Sequence, residues 1–134
     1  MAAGAGASTF VDTNIFVYAV GRAHPLRETA QLYLRERLDQ NVPMITSAEV
    51  LQELLHVYLP VGRTETLDAA LRLAADLTST LPIDESDIRA ARDLAMSQPS
   101  LGARDLLHLA VCRRYGAAEL LSFDRALVAA FASG

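Results

Sequence analysis

Lysine and tryptophan are absent from this chain, cysteine occurs once, and no apolar run approaches the length needed to span a bilayer. A single cysteine excludes a disulfide framework and a cysteine-based zinc site. Cys112 lies in the apolar stretch Leu106-Leu107-His108-Leu109-Ala110-Val111-Cys112 and reads as a small buried hydrophobe rather than a reactive thiol. The opening Met1-Ala2-Ala3-Gly4-Ala5-Gly6-Ala7 has neither a basic leader nor a long apolar block, so residues 1–7 are expected to form a disordered tail on a soluble, unexported protein.

Cationic charge is also scarce. A net charge of −4 argues against a general nucleic-acid coat, because such binding rests on neutralising phosphates. All 12 basic residues are arginine, however, and arginine is the better bidentate partner for phosphate. Acids clustered round a metal ion would lower the net charge without making the rest of the surface acidic. With 134 residues, 51% of them hydrophobic, the chain can bury a sizeable core, and one domain over 1–134 is expected.

Thr9-Phe10-Val11 reads as a short buried strand stopping at Asp12, and Ile15 to Val20 as an apolar segment of either type. Apolar residues at 26, 30, 33, 34 and 38 predict a helix from Leu26 to about Asp39. Pro43-Met44-Ile45-Thr46 is a second strand, and a helix runs from Ser47 to its end at Pro60. Thr64 to Ser79 is helical, Leu81-Pro82-Ile83 a weak third strand, and Asp84 to Ser97 an acid-led helix. A nearly all-apolar, hence central, helix spans Ala103 to Tyr115; Glu119 to Phe123 is the last strand and Arg125 to Phe131 the closing helix. Alternating strands and helices imply a parallel sheet covered on both faces, which binds ligands at the carboxyl ends of its strands.

Four acids stand out against that frame. Asp12 and Asp124 each follow a predicted strand, although each also suits a turn or helix cap. Asp105 opens the apolar helix, where the helix dipole alone would favour an acid. In Ser47-Ala48-Glu49-Val50-Leu51-Gln52-Glu53, Glu53 projects to the edge of the apolar face and can point into a cleft, whereas Glu49 reads as a solvated helix acid. Converging carboxylates repel one another unless cations sit between them, and an oxygen-only donor set suits Mg²⁺ or Mn²⁺. Such ions can bind a phosphodiester and activate a water. His24, His56 and His108 lack paired ligand spacing; His108, one turn after Asp105, is the best placed of the three.

Phe10-Val11-Asp12-Thr13-Asn14, Ser47 through Glu53, Ala103-Arg104-Asp105-Leu106-Leu107-His108-Leu109-Ala110 and Leu121-Ser122-Phe123-Asp124-Arg125 together resemble the PIN-domain ribonucleases, especially the VapC toxins. The resemblance implies an α/β chain, a three-layer α/β/α PIN-like fold with a short central parallel sheet flanked by helices. It implies a metal site of Asp12, Glu53, Asp105 and Asp124, with Ser122, Thr13 and Asn14 in support. It further implies a cytoplasmic bacterial toxin, usually a homodimer, that cuts transfer or ribosomal RNA and is silenced by a cognate antitoxin. The apolar excess from Leu26 to Leu59 is consistent with a buried dimer interface. Many relatives continue past the last acid into another short strand, whereas this sequence stops at Ala132-Ser133-Gly134, which leaves the sheet edge open to question.

Arg104 and Arg125, adjacent to Asp105 and Asp124, are the candidate RNA contacts, with surface solubility as the alternative role. A water attacking phosphorus would leave a 5′-phosphate and a 3′-hydroxyl. Two other functions compete. A non-catalytic PIN-fold scaffold would bind no metal. An aspartate-based phosphatase or receiver domain would ordinarily need a lysine near the phosphate, and Asp12-Thr13-Asn14 lacks the phosphatase's second aspartate two positions on.

Overall fold

The computed structural model describes residues 8–134, so the tail expected over residues 1–7 lies outside the described residues. Strand β1 (Thr9–Val11) leads into helix α1 (Thr13–Val20), followed by α2 (Pro25–Asp39), β2 (Met44–Ser47), α3 (Ala48–Tyr58) and α4 (Thr64–Leu77). Strand β3 (Ser79–Leu81), α5 (Glu85–Leu94), α6 (Ala103–Arg114), β4 (Glu119–Leu121) and α7 (Arg125–Ala132) complete the chain. The four strands form one parallel sheet in the order β3-β2-β1-β4. Helices flank it in a three-layer α/β/α arrangement. Among the described residues no helix is long and apolar enough to cross a membrane.

Sheet order decides where a cleft can form. From β1 the chain steps to β2 and then β3 on one side, and β4 returns to the other side of β1. Helices leaving β1 and β4 therefore diverge at the carboxyl ends of those strands, and a crevice opens between them. Strand β1, central and buried at every position, aligns Phe10 with Ile45 of β2 and with Leu120 of β4.

Side-chain caps set several helix starts. Asp12 accepts from the Thr13 N–H to begin α1, Ser47 from Val50 to begin α3, and Asp124 from Leu127 to begin α7. His24 caps α2 by accepting the Leu26 N–H at its Nδ1. Helix α6 is buried without interruption from Leu106 to Cys112, as its apolar circumference predicts, and Phe10, Phe16, Leu54, Leu109 and Leu127 pack the core around it. Burial pushes the Cys112 thiol up to about 12, consistent with an inert core residue.

Several predicted element limits need correction. The third strand is Ser79–Leu81 rather than Leu81–Ile83, because residues 79–81 align with Ile45, Thr46 and Ser47, and Pro82 offers no N–H to a ladder. The last strand stops at Leu121 rather than Phe123, because Ser122 and the Phe123 N–H turn to Asp12 and Asn14. Helix α3 starts at Ala48 rather than Ser47, because the Ser47 side chain caps it by accepting the Val50 N–H. The ambiguous Ile15–Val20 segment is helical, and the predicted helices over 64–79 and 84–97 end at Leu77 and Leu94.

Candidate active site

The carboxyl ends of β1 and β4 are tied together by side chains from opposite ends of the sequence. Asp12 is buried, and its two oxygens are used separately. Oδ1 accepts the Thr13 N–H at 2.7 Å, and Oδ2 accepts the Ser122 hydroxyl at 2.7 Å and the Asn14 amide at 3.4 Å. Ser122 Oγ also accepts the Asp124 N–H at 3.0 Å and the Asn14 side-chain N–H at 3.2 Å, while Asn14 Oδ1 accepts the Phe123 N–H at 3.1 Å. The cap and the cleft wall are thus the same aspartate. The same holds for Asp124, whose Oδ1 accepts the Leu127 N–H at 3.1 Å.

The other two acids come from the facing helices. Asp105 is in the first turn of α6, half-buried, and Glu53 projects from α3 with its side chain 15% exposed. Glu53 Oε1 lies 2.6 Å from His108 Nε2, and Glu53 Oε2 lies 3.8 Å from Arg104 Nη1. His108 is 1% exposed, with Nε2 3.6 Å from Asp12 Oδ1, beyond hydrogen-bond reach.

Asp12, Glu53, Asp105 and Asp124, with Thr13 and Asn14, line one cleft of about 370 Å³. Val17, Tyr18 and Val57 supply its apolar wall. All four acids singled out in the sequence therefore meet at one place. Glu49 does not join them; it borders a separate apolar groove with Ile88 and Leu107. Arg104 lines that groove too and is 58% exposed, so it stands where the two depressions meet. Arg125 is exposed and does not line the cleft. His24 and His56 are exposed and away from it.

The electrostatics follow from crowding. Burial, then the charges of Asp124 and Asp12, push the Asp105 carboxyl up to about 6. Burial also raises Asp12, against the opposing influence of His108 and the Ser122 and Thr13 hydrogen bonds. For His108, burial favours the neutral ring, but the Glu53 hydrogen bond and the Asp12 and Glu53 charges outweigh it and raise its pKa.

A site that raises its own acids in this way favours a cation between them. The donor set, oxygen only and anionic, fits a hard divalent ion. The Thr13 hydroxyl, buried at the cleft with no hydrogen-bond partner, adds a further oxygen. Among the described residues no three His, Cys, Asp or Glu side chains are gathered onto a single ligating centre; the acids surround the cleft.

Sequence reasoning missed the contact between His108 and Glu53. The signal present was a polar ring inside an apolar helix, one turn from Asp105. The partner, on another helix 55 residues away, left no local trace.

Known proteins share the sequence pattern and the fold. The PIN domain family profile matches residues 9–131. The chain is 52% identical to Ribonuclease VapC23 of Mycobacterium tuberculosis over 124 residues, which cover 92% of this chain and 98% of that protein. The fold resembles the crystal structure of Mycobacterium tuberculosis VapC20, a sarcin-ricin loop cleaving toxin, with a TM-score of 0.73 at 20% identity over 91% of this chain and 94% of that one. It also resembles VapBC2 from Rickettsia felis bound to a DNA fragment from its promoter, with a TM-score of 0.67 at 20% identity over 86% of each chain.

Proposed function

The chain belongs to the PIN-domain family, and on that premise we propose that it is a VapC-type endoribonuclease toxin that hydrolyses RNA phosphodiester bonds and is silenced by a cognate antitoxin. The observation that carries this reading is the meeting of Asp12, Glu53, Asp105 and Asp124 round one cleft at the carboxyl ends of β1 and β4.

Asp12, Asp105 and Asp124 are the residues that would hold Mg²⁺, or Mn²⁺ in its place, with Glu53 completing the shell or orienting a water. When bound, the ion supplies charge for the phosphodiester and lowers the pKa of the attacking water. The protein's own part is positional. Ser122 and Asn14 hold Asp12 and the Asp124 backbone in one register, so the two strand-end acids face the cleft together. Thr13, with its free hydroxyl, can donate to a phosphate oxygen or a water there. Arg104 is exposed beside Glu53 and can meet the RNA backbone; Arg125, further out, would contribute only to approach.

The wider biology follows the family resemblance. A folded transfer or ribosomal RNA is the proposed substrate, recognised by its shape. Exposed Leu55, Val57, Leu59 and Val61, in and after α3, support a homodimer that would cover them. One domain and a cytoplasmic location complete the reading.

The decisive experiment incubates purified protein with total bacterial RNA in Mg²⁺, in EDTA, and with Asp12→Asn replacing the wild type. Discrete fragments bearing 5′-phosphates, dependent on both metal and Asp12, are expected. Activity in the Asp12→Asn protein, or 2′,3′-cyclic phosphate ends, would overturn the mechanism, and a folded wild type that binds no metal would point to a scaffold.

A further inference from the structure

Each acid at the cleft needs something to hold it against its neighbours' repulsion. Asp12 has three hydrogen-bond donors, and Asp124 has the Leu127 N–H. Glu53 reaches the cleft on a longer side chain with more rotamers to lose. Its contacts are a mostly exposed arginine at 3.8 Å and the buried His108 at 2.6 Å.

We propose that His108 is a positioning residue for the metal site, its Nε2–H holding the Glu53 carboxylate toward the cleft as Ser122 and Asn14 hold Asp12. This rests on the metal-dependent reading above. The ring is fixed on two sides: it belongs to the fully buried stretch of α6, and its centroid lies 5.7 Å from that of Phe10 on β1. Its Nδ1 is buried with no partner. An apolar residue would fill this volume without burying an unpartnered nitrogen, so packing alone does not account for a histidine here. The donation does not depend on the charge of the ring, because Nε2 carries the proton whether the ring is neutral or charged when a carboxylate faces it. Outer hydrogen-bond partners of this kind orient ligating carboxylates, and their loss costs affinity without removing a ligand.

The test is equilibrium binding of Mn²⁺, with no RNA present, to the wild type, His108→Gln, His108→Leu, Glu53→Gln and the His108→Leu/Glu53→Gln double variant. His108→Leu should weaken binding about 10- to 100-fold. His108→Gln, which keeps an N–H donor of similar reach, should stay within about threefold of the wild type. In the Glu53→Gln background, His108→Leu should change affinity by less than about twofold, because its effect runs through Glu53. Should His108→Leu fail to fold, His108→Asn, whose shorter amide falls short of Glu53, replaces it with the same expectation. Wild-type affinity in the folded leucine or asparagine variant would overturn the proposal, as would additive losses in the double variant or a glutamine variant as weak as the leucine one. Absence of Mn²⁺ binding by the folded wild type would instead overturn the metal reading itself, and this proposal with it.

Discussion

At the scale of single residues, the site is built from side chains that do two jobs. Ser122 Oγ donates to Asp12 and accepts from the Asp124 backbone and from Asn14, so removing it breaks three hydrogen bonds at once and takes the Ser122 partner from the Asp124 N–H. Ser122→Ala should cost about 1–3 kcal/mol of stability, read from the urea midpoint, as well as activity. Asp105 shows the opposite balance. Its charged form is penalised by burial and by Asp124 and Asp12, so Asp105→Asn should abolish cleavage yet raise the melting temperature of the metal-free protein. A melting temperature that fell would show that Asp105 contributes to folding rather than opposing it. Asp12 was legible in the sequence because an acid directly after a strand both caps the next helix and faces the carboxyl end of the sheet; Asp124, three residues beyond the end of β4, was legible as the acid that opens the closing helix. Glu53 was legible from helical projection. The Glu53 contact with His108 was not, since nothing local distinguishes a buried ring that reaches another helix from one that merely packs.

Elements are joined by polar clasps that periodicity cannot show. Asp87, buried in α5, accepts from Arg114 of α6 at 2.9 Å and closes a capping box with Asp84. Asp84→Ala, at the exposed end of that cap, should lower the urea midpoint only slightly, and Asp87→Ala, which empties the buried end and strands Arg114, should lower it more. A second clasp joins α2 to β4, where Arg37 donates to Glu119 at 3.1 and 2.7 Å. The Arg37 hydrogen bond holds the Glu119 carboxyl below its ordinary value of 4.5. A depressed folded-state pKa means stability present above 4.5 and lost as the pH falls through and below it. Because the pair is partly exposed, the difference between wild type and Glu119→Gln should be at most about 1 kcal/mol at neutral pH and should vanish in acid. A gap that widened on acidification would contradict the assignment. The short strands explain the misplaced strand limits: β3 and β4 are three residues each, and their limits are set by partners elsewhere in the chain rather than by their own sequence.

For the whole molecule, the strand order makes folding and assembly of the site one event. The class of fold was legible from alternating strands and helices, but the order β3-β2-β1-β4 was not, because local patterning does not say on which side of β1 the last strand returns. That return is what closes the cleft. The Ser122 contact with Asp12 spans 110 residues, and the Asn14 contact with Phe123 spans 109, so the site exists only when the first and last strands have paired. A metal held there binds the native chain and not the unfolded one, and must therefore stabilise the fold by mass action. At free Mg²⁺ about 100 times its dissociation constant the gain is about 2.7 kcal/mol. For a chain of 134 residues this corresponds to a rise in melting temperature of roughly 8–12 °C. The same titration on Asp12→Asn should give little or no rise, since that change removes a charged donor at the junction of β1 and β4. Equal rises in both proteins would place the ion elsewhere on the surface, and no rise in the folded wild type would remove the metal from the mechanism.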